Sequence, residues 1–137
     1  MTSIRLTLAL VAGLLSTASA VSAETTYDCS FTSYTRDGLV PERLILALDT
    51  QTGAAAAFDG VIKAVHNAPI PVNSTQRSAS SWRLDWNLDN IPGHLNRSLT
   101  ATYKVNLNTA RNTATIAVIV HGYDNETRGT GTCKIIK

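Results

Sequence analysis

Strict alternation of apolar and polar side chains is the feature that most constrains this chain. Trp82, Leu84, Trp86 and Leu88 alternate with Arg83, Asp85 and Asn87. Leu99, Ala101, Tyr103, Val105 and Leu107 alternate just as cleanly with Thr100, Thr102, Lys104 and Asn106. Successive side chains of a strand point to opposite faces, so each run describes a strand with one face in a core and the other in water. Tyr27, Cys29 and Phe31 repeat the pattern, as do Leu44, Leu46 and Leu48. Thr113 to His121 is rich in β-branched residues, which favour strands. A last strand, from about Arg128 to Ile136, carries Cys133 in phase with Gly129, Gly131 and Ile135. Asp49 to Gly53 and Asn108 to Asn112 have the composition of hairpin loops.

One segment is ambiguous. Phe58, Val61, Ile62 and Val65 fit helical spacing, and Ala54 to Ala57 is good helix material. A glycine inside a helix costs about 1 kcal/mol, and Asp59-Gly60 is a turn signal. The expectation is therefore a strand, a bend, and a short extended piece ending near Pro69 and Pro71. Val72 to Arg77 supplies a further strand, and Asp89 to Arg97 is the longest irregular connection. Seven or eight short strands with mostly short loops predict an all-β fold, a single antiparallel meander closed into a small barrel. A two-sheet sandwich is the alternative. Residues 24–137 form one domain.

The first 23 residues have the layout of a secretory signal. Met1 to Arg5 carries one positive charge, Leu6 to Leu15 is an apolar run, and Val21-Ser22-Ala23 presents compact residues to a peptidase. The run is about half the ~20 residues that a membrane-spanning helix needs. Cleavage after Ala23 leaves Glu24 first; cleavage after Ala20 is the alternative. Export into an oxidising compartment predicts that Cys29 and Cys133 form one structural disulfide between the first and last strands. The cysteines lack the C-x-x-C spacing of a redox or metal pair.

Without Arg5 the chain holds 11 basic and 10 acidic side chains. That balance lacks the basic excess of a nucleic-acid binder. His66, His94 and His121 fall in different predicted elements and offer no metal-ligand spacing, so neither a metal nor a cofactor is expected. No G-x-S-x-G elbow, S-x-x-K motif or phosphate-binding glycine pattern occurs. Asp85 and Asp89 would share a strand face about 13 Å apart, wider than either glycosidase geometry. The chain reads as a non-enzyme. Asn73, Asn96 and Asn125 begin N-x-S/T sequons, to which no function is assigned.

Two groups remain as candidate binding residues. Trp82 and Trp86 share one strand face and could line a pocket, but core filling against the small residues Ala54 to Ala57 and Gly129 to Gly131 is favoured. Tyr123, Asp124 and Asn125 lie in a loop between the last two strands, where the tyrosine is exposed enough to contact a partner.

The Tyr27-Asp28-Cys29-Ser30-Phe31 start and the Gly122-Tyr123-Asp124-Asn125 to Gly129-Thr130-Gly131-Thr132-Cys133 end resemble small, uncharacterised periplasmic β-barrel proteins of Gram-negative bacteria. The resemblance implies a compact barrel and carries no activity to transfer. The Tyr27-Asp28-Cys29 start with a late cysteine is more remotely similar to the periplasmic C-type lysozyme inhibitors. Their S-G-x-x-Y loop has no counterpart here, and Ser80-Ser81-Trp82 does not replace it. The expected function is that of an exported, monomeric binding protein of the periplasm, acting on an unknown protein or envelope component. The alternative is a lipocalin-like carrier with a small apolar ligand beside Trp82, Trp86 and Tyr103.

Overall fold

A computed structural model describes residues 24–124 and 126–136, and the expected leader, residues 1–23, lies outside them. Eight antiparallel strands close into a barrel in chain order. They are β1 (Glu24–Ser33), β2 (Arg43–Asp49), β3 (Ala55–Phe58), β4 (Ile70–Gln76), β5 (Ser81–Pro92), β6 (Ser98–Asn108), β7 (Thr113–Val120) and β8 (Glu126–Ile136). Closure, rather than a sandwich, pairs β1 with β8 along eight positions from Thr26↔Ile136 to Ser33↔Gly129. Among the described residues every strand has a neighbour on both sides.

The inward faces match the alternation. Leu44, Leu46, Leu48, Leu84, Leu88, Val105, Leu107 and Val118 are fully buried, and Tyr103 keeps only 1% of its surface. An eight-stranded barrel is just wide enough for such side chains to fill. The outward rows carry Asp28, Ser30, Thr32, Arg83, Asp85, Asn87, Lys104, Thr130 and Thr132, none of them buried. A membrane barrel has the reverse pattern, with an apolar band outside. Among the described residues no helix is long and apolar enough to cross a membrane.

Cys29 and Cys133 are direct partners in the β1–β8 register and are disulfide-bonded, with an S–S distance of 2.06 Å. Phe31 N donates to Glu42 O, so Cys29, two residues earlier, turns its peptide groups toward β2. Cys133 N donates to Asn112 O on the β7 side. The two cysteines thus form a non-hydrogen-bonded pair, the kind in which facing side chains approach most closely. Both point inward and are buried.

Residues 54–66 depart from the sequence expectation. β3 forms, but the segment after the bend is a helix, α1 (Gly60–His66), not an extended piece. Asp59 is its N-cap, and its Oδ1 accepts from Ile62 N at 2.7 Å. Gly60 is therefore the first helical residue and escapes the penalty of a mid-helix glycine. Asn67 ends the helix in the left-handed region, φ 54°, and its N–H donates to Lys63 O. Fully buried Ile62 is what fastens so short a helix to the barrel.

The expected irregular stretch from Asp89 to Arg97 is also largely ordered. β5 runs on to Pro92 through a bulge between Leu88 and Ile91, with Asn90 at φ 58°. The longest irregular connection is residues 34–42, between β1 and β2. The glycines of β8 do not make room for the tryptophans. A side chain at Gly131 would meet Ser30 O at 2.5 Å and the Phe31 ring at 2.8 Å. One at Gly129 would meet Thr32 O at 2.8 Å and Val40 at 3.1 Å. Phe31 and Val40 occupy that space, while Trp86 stacks on Tyr103 from the neighbouring strand.

Candidate functional site at the loop end of the barrel

In an up-and-down meander the connections alternate between the two ends. The β1–β2, β5–β6 and β7–β8 connections and the segment containing α1 therefore share one end. The other end holds the tight hairpins. There Asp49 Oδ1 accepts from Gln51 N and Thr52 N, and Asn108 Oδ1 from Ala110 N and Arg111 N. Asx turns of this kind fix short reversals and leave little to vary.

At the loop end lies an open hollow of about 400 Å³. Its wall is mainly apolar: Leu39, Leu95, Leu99, Val120 and the ring of Tyr123, with Gly93, Asp37 and Arg97 completing it. Hollows of about 300–1,000 Å³ with an apolar lining and a few polar groups are typical of ligand sites. Leu95 is 89% exposed and Tyr123 56%, so two large apolar groups stand in water beside it.

Local structure explains how they are held there. Leu95 and Asn96 are successive left-handed residues of the β5–β6 connection, with φ 61° and 57°. Leucine rarely adopts the left-handed region, which costs about 1–3 kcal/mol and persists only where the surrounding structure imposes it. The β5–β6 hairpin does impose it. Gly93 N donates to Arg97 O at 2.9 Å, and a side chain on Gly93 would meet that same oxygen at 2.7 Å. Tyr123 follows Gly122, which has φ 85°, and its N–H donates to Val120 O.

Asp37 ties the β1–β2 connection to strand β8. Its Oδ1 accepts from Leu39 N at 3.0 Å, and its Oδ2 accepts from Thr35 Oγ1 and from Thr127 Oγ1 of β8. Burial opposes ionisation of Asp37, but the hydrogen bonds from Thr127, Leu39 and Thr35 outweigh it and hold the carboxyl below its ordinary range. The carboxylate is thus a charged but occupied strut. Arg97 is exposed and, among the described residues, its guanidinium has no hydrogen bond or ion pair.

The sequence candidates divide between two places. Tyr123 lines the hollow; Asp124 is exposed on the same connection but outside the lining; Asn125 lies outside the described residues. Trp82 and Trp86 are in the interior, 5% and 4% exposed. Trp86 Nε1 is buried and, among the described residues, has no hydrogen-bond partner. His121 Nε2 lies 2.7 Å from Thr102 Oγ1, and His66 is exposed in the last turn of α1.

Leu39, Leu95, Leu99, Val120 and Arg97 escape sequence reading, because three connections distant in sequence converge only when the barrel closes. The one available signal is Leu95, an apolar residue within the polar stretch Gly93-His94-Leu95-Asn96-Arg97. Compared with protein-family models, with curated proteins and with solved structures, the chain finds no match.

Proposed function

We propose that this chain is an exported binding protein of the cell envelope, which holds its partner at the loop end of the barrel and catalyses no reaction. The observation that carries this reading is the apolar hollow flanked by exposed Leu95 and Tyr123. Large apolar groups displayed together beside a concavity favour a partner that covers them. Leu95 in a costly backbone conformation adds to the reading, since strain of this kind gathers at binding sites. Export is supported by the buried Cys29–Cys133 disulfide, which persists in oxidising compartments.

The burial of Trp82, Trp86 and Tyr103 and the stacking of Trp86 on Tyr103 favour the loop end over the carrier alternative. The test is retention from a solubilised envelope fraction, comparing the native protein with Leu95→Ser/Tyr123→Ala. A component held by the native protein and lost from the double variant supports the reading. Equal retention by both contradicts it.

A further inference from the structure

We propose that the loop-end hollow takes an acyl chain bearing a terminal carboxylate, with its chain against Leu39, Leu99 and Val120 and its head at Arg97. The proposal rests on the loop end being the binding surface and adds the chemistry of what binds there.

The lining divides into two zones. Leu39 and Leu99 are half-buried and Val120 is buried, so they form the floor, whereas Leu95 and Tyr123 are exposed and form the rim. Five apolar groups around one concavity match a flexible hydrocarbon chain, and each CH₂ removed from water contributes about 0.8 kcal/mol. Leu95 is free to fold onto such a chain because 89% of its surface is now in solvent.

The two charged groups of the lining are not equivalent. Asp37 is fixed by Leu39 N, Thr35 Oγ1 and Thr127 Oγ1, so its oxygens face the scaffold's own donors. Among the described residues the Arg97 guanidinium makes no hydrogen bond or ion pair, and a guanidinium pairs with a carboxylate through two parallel hydrogen bonds. The unmatched charge of the site is positive. Asp124 is on the neighbouring connection but does not line the hollow.

The test is titration of the intact protein with sodium decanoate, decan-1-ol, decyltrimethylammonium and an apolar peptide with a free C-terminal carboxylate, followed by amide chemical shifts. Decanoate is expected to bind one-to-one, with shifts at residues 37–39, 93–99 and 120–124. Decan-1-ol should bind about tenfold more weakly. Arg97→Gln should weaken decanoate about tenfold and leave decan-1-ol unchanged, and Leu95→Ser should weaken both. Both side chains are exposed, so neither change threatens the fold.

Equal binding of decanoate and decan-1-ol, unaffected by Arg97→Gln, would overturn the carboxylate assignment while leaving the loop-end surface intact. Preference for decyltrimethylammonium would overturn it in favour of Asp37. Binding of an apolar peptide with a free C-terminal carboxylate but not of decanoate would overturn the acyl source. Binding whose shifts avoid the loop end, or no binding of any probe, would overturn the proposal as a whole.

Discussion

Trp86 on β5 and Tyr103 on β6 are register partners whose rings stack face to face, with centroids 5.4 Å apart and planes within 1° of parallel. The pair sits in the barrel interior, with 4% and 1% of its surface exposed. Each ring removes on the order of 150–250 Å² from water, and an aromatic pair adds about 0.5–1.5 kcal/mol beyond that area. Trp86→Ala should therefore lower unfolding stability by about 3–5 kcal/mol in urea titration. Trp86→Phe should cost much less, because it also removes a buried indole N–H that has no partner among the described residues. Emission of both tryptophans should resist quenching by acrylamide; strong quenching in the folded protein would contradict a filled interior.

The strand list was legible because a barrel strand has one wet and one dry face, and the alternation records both. The same alternation assigned Trp82 and Trp86 to one side and Asp85 and Asn87 to the other. What it could not convey was α1. A single buried residue, Ile62, leaves too weak a periodic signal, and the N-cap at Asp59 resembles the turn that Asp59-Gly60 also spells. The loop-end hollow was legible in one residue, Tyr123, since turn composition marks a loop but not which loops meet. Leu39 and Leu95 come together only through the eight-strand closure.

The disulfide closes a loop of 104 residues at the β1–β8 seam. A loop near 100 residues corresponds to an upper bound of about 4.7 kcal/mol from chain entropy, and typical disulfides give 2–4. Reduction should lower stability by about 2–4 kcal/mol while the barrel signature in circular dichroism persists, because the seam keeps its strand pairing. Free-thiol labelling of both cysteines in native, non-reduced protein would contradict the bond.

Asp59 is 4% exposed; its Oδ1 caps α1, and its buried Oδ2 has no partner among the described residues. Burial raises its pKa against the opposing hydrogen bonds from Ile62 and Val61. The folded state therefore holds this proton more tightly than the unfolded chain does. That contribution to stability is fully present below the ordinary carboxylate value of about 3.9 and is lost as pH rises through the higher folded value. Asp28, Asp37 and Asp49 are shifted the other way, so the difference between variants is the informative quantity. Asp59→Asn keeps the capping oxygen and should gain stability relative to the native protein as pH is raised from 3 to 7. A constant difference across that range would contradict the assignment.

Gly131 faces Phe31 directly across the seam. The Cβ of an alanine there would lie 2.5 Å from Ser30 O and 2.8 Å from the Phe31 ring, so the ring or the strand must shift. Gly131→Ala should destabilise by about 1–3 kcal/mol, as overpacking does. Thermal melts of Gly131→Ala and of Phe31→Leu/Gly131→Ala should show partial recovery in the double variant, whose smaller side chain makes room.

The central claim is that this barrel binds with its loop end while its interior stays packed. Amide chemical-shift mapping during titration with a solubilised envelope fraction tests it most directly. Shifts confined to residues 37–39, 93–99 and 120–124, with Trp82, Trp86 and Tyr103 unmoved, are the predicted result. Shifts centred on Trp82, Trp86 and Tyr103 would contradict the claim and make the barrel a carrier.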